Sequence, residues 1–247
     1  GGALDAEEYT VFRNYLEPSG ESDTLGIFSE NPIFIENLNQ GETYFLSINA
    51  MNLFGESETT EMLGITPTNE PVSCLIVNGF DRITGTNNTF DFIRQHGSSL
   101  HHAGYAFNSA SNEAVMNGTV LLSDYKYIDW ILGEEGTATS TFTTTEQNLV
   151  KSFLEGGGFL FVSGSEIGYD LAGQGSNSDN QFYTNYLKAD YLSDAAGNNV
   201  YSGYGVSNSI FESIPTITFD DGSQGTYDVD WPDGIQPVVG ASVNVKY

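Results

Sequence analysis

Residues with the chemistry for catalysis follow apolar segments of the chain. Ser165 and Glu166 lie in the segment GSEIG (164–168), directly after the apolar run 159–162. A sharp turn there would expose the serine hydroxyl as a nucleophile, and His96 is the candidate base. The order Gly-Ser-x-x-Gly differs from the Gly-x-Ser-x-Gly elbow of hydrolases. The alternative is a serine that caps the next helix.

Carboxylates offer a second chemistry at equivalent positions. Glu134 and Glu135 follow the apolar run 127–132, and Glu166 follows the run 159–162. Two carboxyl groups can divide acid and base roles on a glycosidic bond. The alternative is that they are solvated acids in loops. The candidate catalytic residues are Ser165, Glu166, His96 and Glu134.

Other polar and aromatic residues suit ligand binding. The candidates are Asp81, Arg82, Asn112, Glu113, Tyr227 and Trp231. The first four follow two predicted strands, 72–77 and 105–107, so they are expected at one edge of a parallel sheet with Glu134, Ser165 and Glu166. Such a crevice suits a sugar or a peptide. The two aromatic rings could stack on a sugar, or Trp231 could be a packed residue at a strand end.

The acidic segment 220–233 is rich in oxygen ligands. Asp220, Asp221, Asp228 and Asp230 are candidate calcium ligands, although their spacing does not match an EF-hand. The alternative is an ordinary acidic hairpin. No Walker loop or dinucleotide-binding glycine motif follows a strand, so no cofactor other than calcium is expected.

Alternating strand and helix patterns in residues 72–247 predict the elements that carry these residues. The run 72–77 is a predicted buried strand that contains Cys74, and a helix is predicted from Thr89 to Ala103. Thr143 and Glu146 form a capping box that opens a second helix, which the glycines 156–158 end. These patterns predict a mainly parallel, three-layer α/β sheet. From about residue 190, alternating runs predict an antiparallel β extension.

Short alternating segments between turns predict an all-β module in residues 1–68, joined by a linker at 69–71 to the α/β domain at 72–247. The segment LNQGETY (38–44), followed by Ala50, Asn52, Gly55 and Ser57, resembles a fibronectin type III domain. The first two strands of that family have no counterpart here. The resemblance therefore implies a partial β-sandwich that additional N-terminal modules of a parent protein complete.

The segment LVKSFLEGGGFLFVSGSEIG (149–168) resembles class I glutamine-amidotransferase-like domains, which have a flavodoxin-like α/β fold. In that family a cysteine nucleophile sits on the elbow. This chain has Ser165 there, and Cys74 lies in the first predicted strand, so a cysteine glutaminase is not expected. NGFDR (78–82) and ILGEEGT (131–137) are similar to a domain of secreted, multimodular Bacteroidota proteins labelled N-acetylmuramoyl-L-alanine amidase or xanthan lyase.

Composition limits the partners. The 247 residues include 7 basic and 33 acidic side chains, a formal charge of −26, which would repel phosphate backbones and anionic lipid surfaces. The 16 Phe and 14 Tyr indicate a folded chain rather than an acidic disordered one. One cysteine excludes an internal disulfide. No apolar run is long enough for membrane insertion. Abundant Gly, Asn, Ser and Tyr with few Lys is typical of secreted or cell-surface bacterial proteins.

Three functions are open. The leading hypothesis is a noncatalytic accessory or glycan-binding region of a secreted protein that acts on cell wall or polysaccharide. The first alternative is a hydrolase of peptidoglycan amide or glycan bonds with a Ser/Glu site at the elbow. The second is a surface adhesion or scaffold protein.

Overall fold

The computed structural model describes residues 6–17, 21–82, 88–136, 139–196, 200–223 and 226–247. Two compact units divide the chain. The first comprises Gly1–Asn78, Thr89–Asp129 and Gly158–Phe161, and the second comprises Gly79–Asn88, Trp130–Gly157 and Val162–Tyr247. The predicted linker at 69–71 falls inside the first unit, and the predicted division into domains remains a prediction.

The helices and strands have the following bounds. The strands are β1 (Glu8–Asn14), β2 (Ser22–Phe28), β3 (Tyr44–Asn52), β4 (Gly55–Glu56), β5 (Leu63–Ile65), β6 (Cys74–Asn78), β7 (Asn108–Ser111), β8 (Tyr127–Gly133), β9 (Phe159–Gly164), β10 (Ala189–Ser193), β11 (Ser202–Gly205), β12 (Ile217–Thr218), β13 (Gly234–Pro237) and β14 (Val245–Lys246). The α-helices are α1 (Phe92–His102), α2 (Asn112–Met116), α3 (Thr144–Glu155) and α4 (Asn177–Phe182). A 3₁₀ turn covers Leu122–Asp124, and π-helical turns cover Tyr169–Gly173 and Tyr183–Leu187.

A mixed sheet of nine strands dominates the described residues. Its order is β2-β1-β3-β5-β7-β6-β8-β9, with β4 paired to β3. The N-terminal strands pair antiparallel, whereas β6 and β7 pair in parallel. The sheet is therefore partly parallel, as an α/β sheet requires.

Strands β8 and β9 continue the parallel part of the sheet. The amide of Tyr127 bonds to the carbonyl of Ser73 where β8 and β6 begin, and the amide of Gly79 bonds to the carbonyl of Ile131 near their ends. The amide of Phe159 bonds to the carbonyl of Lys126 where β9 and β8 begin, and the amide of Ser165 bonds to the carbonyl of Gly133 where they end. Matching starts and ends mean that β6, β8 and β9 run in one direction.

Local sequence signals account for the helices. Thr143 and Glu146 form the predicted capping box of α3, and the helix ends at Gly156, followed by Gly157 at φ +85°. Helix α1 ends before Gly104, whose φ is +81°. The strand expected over residues 105–107 lies instead at 108–111. The buried Phe107 directly precedes this strand.

Each unit has its own apolar core. In the first unit, Phe107 is fully buried and lies so close to α1 that a Cβ on Gly97 would be 2.5 Å from its ring. In the second, the rings of Trp130 and Phe142 are 5.3 Å apart, and Phe142 meets Phe182 edge-on at 5.4 Å.

The expected C-terminal β extension takes the form of two small antiparallel sheets. Strand β10 pairs with β13, and β11 pairs with both β12 and β14. Across the described ranges, no helix is long and apolar enough to cross a membrane.

Candidate functional site

The strand order creates a switch point in the parallel part of the sheet. The chain passes from β6 to its neighbour β7, and then crosses back to β8 on the other side of β6. Loops that follow β6 and β8 diverge there, and α/β proteins bind ligands in the resulting crevice. In the second unit, the residues that follow β6, β8 and β9 include part of the polar set that the sequence predicted. We call Asp81, Arg82, Glu134, Glu135, Glu166 and Tyr227 the switch-point cluster.

Glu135 joins the two loops at the switch point. Its side chain is 2% exposed, and Oε1 accepts hydrogen bonds from the amides of Asp81 (3.0 Å) and Arg82 (2.7 Å). Burial raises the pKa of Glu135, and the two amides and the Arg82 charge oppose that rise. Oε2 is buried and has no hydrogen-bond partner among the described residues. One oxygen therefore fixes the loops while the other is unused.

Glu134 and Arg82 form an ion pair beside Glu135. Nη2 of Arg82 lies 3.9 Å from Oε2 of Glu134, and both side chains are largely buried. Burial and the Glu134 charge raise the pKa of the Tyr227 hydroxyl, and the Arg82 charge lowers it, so both charges act on a residue of the C-terminal segment.

The loop after β9 completes the cluster. Glu166 is buried, and a Cβ built on Gly136 would lie 2.7 Å from its Oε2. Ser165 bonds to the carbonyl of Gly133 through its amide (2.9 Å) and through its hydroxyl (3.3 Å). Ser165 thus ties the ends of β8 and β9 together, and its proposed role as a nucleophile remains a prediction.

Asp233 caps the helical segment after β9. Its Oδ2 accepts a hydrogen bond from the amide of Gly168 at 2.6 Å, and both oxygens lie 3.2 Å from the amide nitrogen of Tyr169. Burial raises the pKa of Asp233 to about 6; the two amides oppose the rise, and the charges of Glu166 and Asp194 add to it. Sequence reasoning missed this residue, because 65 positions separate it from Gly168.

The segment 227–233 is held at its C-terminal end, where the amide of Asp233 donates to the carbonyl of Ser165 at 2.9 Å. Trp231, two residues before Asp233, has a left-handed φ of +56° and is 55% exposed. Trp231 is therefore more than half exposed rather than fully packed, and its stacking on a sugar remains a prediction.

Other predicted residues lie in the first unit. His96 is on α1, with Nδ1 2.8 Å from Oδ2 of Asp129, the third residue of β8. Asn112 is buried at the start of α2, and the neighbouring Glu113 is exposed. A catalytic role for His96 and a binding role for Asn112 and Glu113 remain predictions.

Three of the aspartates proposed to bind calcium accept hydrogen bonds from other side chains or amides. Asp220 accepts from the amide and hydroxyl of Thr226, Asp221 accepts from Ser223, and Asp228 accepts from the hydroxyl of Tyr201. Within the ranges that the structure describes, no group of three or more His, Cys, Asp or Glu is arranged to hold a metal ion. Asp221 and Asp228 form a single antiparallel β-bridge, and calcium binding by Asp220, Asp221, Asp228 and Asp230 remains a prediction.

Cys74 is a free thiol at the start of β6. Burial, with a smaller effect from the Asp129 charge, raises its pKa to about 11. Because the thiolate is the nucleophilic form, this cysteine is poorly suited to catalysis at neutral pH.

The fold and site define an α/β protein with a buried polar cluster at the switch point of its parallel strands. Comparison of the chain with protein-family models and with curated proteins gives no match.

Proposed function

We propose that this chain is a noncatalytic, glycan-binding accessory region of a secreted bacterial protein that acts on cell wall or polysaccharide. The observation that carries the proposal is the exposed Trp231, two residues before Asp233, whose backbone and side chain bond to the loop after β9. An aromatic face offers an apolar platform for a sugar ring. Charged side chains nearby offer donors and acceptors for its hydroxyl groups.

The contacts within the cluster favour binding over catalysis. The Ser165 hydroxyl donates to a main-chain carbonyl, and the Glu135 carboxylate accepts from two loop amides. Both groups act as loop ties, whereas a serine nucleophile requires a base within hydrogen-bond reach.

We further propose that residues 72–247 adopt a class I amidotransferase-like, flavodoxin-like arrangement. In order of appearance, β6 to β9 are strands one to four, and their spatial order is two-one-three-four. Flavodoxin-like sheets start with this order.

Two observations support a partial fibronectin type III module in residues 1–68. Strands β1, β3 and β5 are adjacent in that order, as strands C, F and G are in sandwich domains. The Tyr44 hydroxyl also accepts a hydrogen bond from the amide of Asn39 at 2.9 Å, as in a tyrosine corner.

Binding to insoluble peptidoglycan and to a panel of bacterial polysaccharides tests the glycan proposal. Wild type should bind at least one of them, and Trp231→Ala should weaken that binding about tenfold. Tyr204→Ala is the matched control, because Tyr204 is also 55% exposed in the second unit. Absence of binding by the folded wild type would refute the proposal and favour a scaffold role. Equal losses in both variants would refute the role of Trp231.

The buried carboxylates Glu134 and Glu166 support a hydrolase as the second candidate, since burial is how enzymes obtain a protonated acid. Mass spectrometry of the same glycans should then detect released products. A Ser165→Ala, Glu166→Gln double variant should release none. Products from both chains would refute this site.

A further inference from the structure

Strand β9 forms one edge of the nine-stranded sheet. In the order of the described strands it has a single neighbour, β8. The amides of Phe159 and Ser165 bond to carbonyl groups at the two ends of β8. Because backbone direction alternates along a strand, Leu160 and Val162 direct their N–H and C=O groups to the open edge. Such an edge can pair with a further strand.

Aromatic side chains cover one face of this edge. Phe159 and Phe161 are 57% and 62% exposed, and the Phe159 ring stacks on that of Tyr127, with 5.5 Å between the centroids. Helix α1 packs on the same face at β8, where His96 bonds to Asp129, two residues after Tyr127. The rings of β9 remain in solvent. We call Tyr127, Phe159 and Phe161 the β9 aromatic face.

The two edges of the sheet differ in how they are protected against pairing. Strand β2, at the opposite edge, carries the exposed carboxylate of Asp23, and its pairing with β1 contains a register shift. Charges and irregularities of this kind discourage edge-to-edge association. Residues 156–165, which include β9, contain no charged side chain and no proline. The β9 edge therefore lacks the residues that would block a partner strand.

Charge also favours this edge as the place where two copies of the chain can meet. Each copy has a formal charge of −26, so repulsion opposes their approach over most of the surface. The β9 aromatic face contains no carboxylate, and the ammonium group of Lys126 lies 4.8 Å from the centroid of the Phe159 ring. A partner recognised by its positive charge would find no acidic group on this face. A second copy would bring matching aromatic rings.

We infer that this chain forms a symmetric dimer in which β9 pairs antiparallel with β9 of a second copy. With Leu160 on the two-fold axis, Phe159 of each copy lies opposite Phe161 of the other. Two aromatic cross-strand pairs then form beside the paired backbones. Three half-exposed rings offer about 300 Å² per copy, below the about 800 Å² of a standard interface, so the dissociation constant should be on the order of 10–100 µM.

Sedimentation equilibrium tests the inference over about 1–500 µM protein, on both sides of the expected dissociation constant. The average mass of the wild type should rise from that of one chain toward that of two. Phe161→Glu should weaken the dimer at least about tenfold, because it buries a carboxylate against the partner's aromatic ring. Ile27→Glu is the matched control, since Ile27 is 61% exposed on β2 and the charge change is the same. It should preserve the dimer.

Hydrogen exchange of the wild type gives a second readout, which does not depend on whether Phe161→Glu folds. The amides of Leu160 and Val162 should exchange more slowly as the protein concentration rises through the dissociation constant, because the second copy supplies their acceptors. The Phe159 amide already bonds to β8, so its exchange should change less.

Three results would overturn the inference. A chain that stays monomeric over the whole concentration range would leave the β9 edge to a partner of different sequence. Equal weakening of the dimer by Phe161→Glu and Ile27→Glu would make overall charge, rather than β9, responsible. Dimerisation without slower exchange at Leu160 and Val162 would exclude pairing of the two β9 strands.

Discussion

Two sets of polar contacts, one from each unit, span very different distances along the chain. In the N-terminal strands of the first unit, the Tyr44 hydroxyl bonds to Asn39, five residues away, and to Glu42, two residues away. In the second unit, Glu135 bonds to Asp81 across 54 residues, and Asp233 bonds to Gly168 across 65. The contacts of Tyr44 can form within one turn of the chain, whereas those of Glu135 and Asp233 need the folded sheet. We expect the long-range contacts to account for more of the stability.

Glu135→Ala should produce the largest effect. Two loop amides lose their acceptor, so the free energy of unfolding should fall by about 2–4 kcal/mol. Chemical denaturation measures this loss, and hydrogen exchange should show faster exchange of the Asp81 and Arg82 amides. Glu42→Ala in the first unit should cost less, because water can replace contacts of a solvent-exposed carboxylate. Similar losses in the two variants would contradict the comparison.

Gly136→Ala should have the next largest effect. Its new Cβ would lie 2.7 Å from Cβ and Oε2 of Glu166, so the loop after β8 or the Glu166 side chain must move. We expect a loss of about 1–3 kcal/mol in thermal or chemical unfolding. At Gly156 the nearest atoms to a new Cβ are carbonyl oxygens at 3.3 Å, so Gly156→Ala should cost less. The reverse ranking would show that the contact of Gly136 with Glu166 is unimportant.

Asp233 should make stability depend on pH. Its pKa rises from 3.8 to about 6 on folding, so between these values the folded state binds the proton more tightly than the unfolded state. Protonation of Asp233 therefore favours folding below about pH 4, and this contribution is lost as the pH rises through about 6. Allowing for solvent screening, we expect a change on the order of 1–2 kcal/mol. In denaturation series across this range, Asp233→Asn should lack this component. If the free energy of unfolding of Asp233→Asn depends on pH as that of the wild type does, the predicted contribution of Asp233 is refuted.

Tyr44→Phe should have the smallest effect of the four. The variant removes the hydroxyl that accepts from the amide of Asn39 and donates to Glu42, contacts that water can partly replace, so the loss should be about 0.5–1.5 kcal/mol in chemical denaturation. Tyr105→Phe, at a side chain that is 65% exposed, should leave stability unchanged. A loss as large as that of Glu135→Ala would remove the distinction between local and long-range contacts.

Residue pattern predicted the elements whose signals are local. The apolar runs anticipated β6, β8 and β9, and Thr143 with Glu146 anticipated the start of α3. The position of β7 was wrong by several residues because it consists of polar side chains. Ser109 donates to the carbonyl of Gly64, and Asn108 donates to the hydroxyl of Tyr125, so tertiary partners make a polar strand stable.

Sequence also indicated most of the candidate site, for a simple topological reason. Parallel strands end at one edge of the sheet, so Asp81, Arg82, Glu134 and Glu166 could be expected near one another. The sequence could not show which groups these side chains contact. The use of Glu135 as a tie between loops depends on which backbone amides the folded loops turn toward its carboxyl group.

The amino-acid sequence by itself determined the acidic character of this protein, the apolar strands β6, β8 and β9, the start of α3, and the polar residues that follow those strands, because composition, apolar runs and capping residues can be read directly along the chain. Only the tertiary structure decided that Asp233 caps the segment at Gly168, that Gly136 makes room for Glu166 and that Trp231 faces solvent. Those outcomes depend on contacts between distant segments, and such contacts exist only once the sheet has formed.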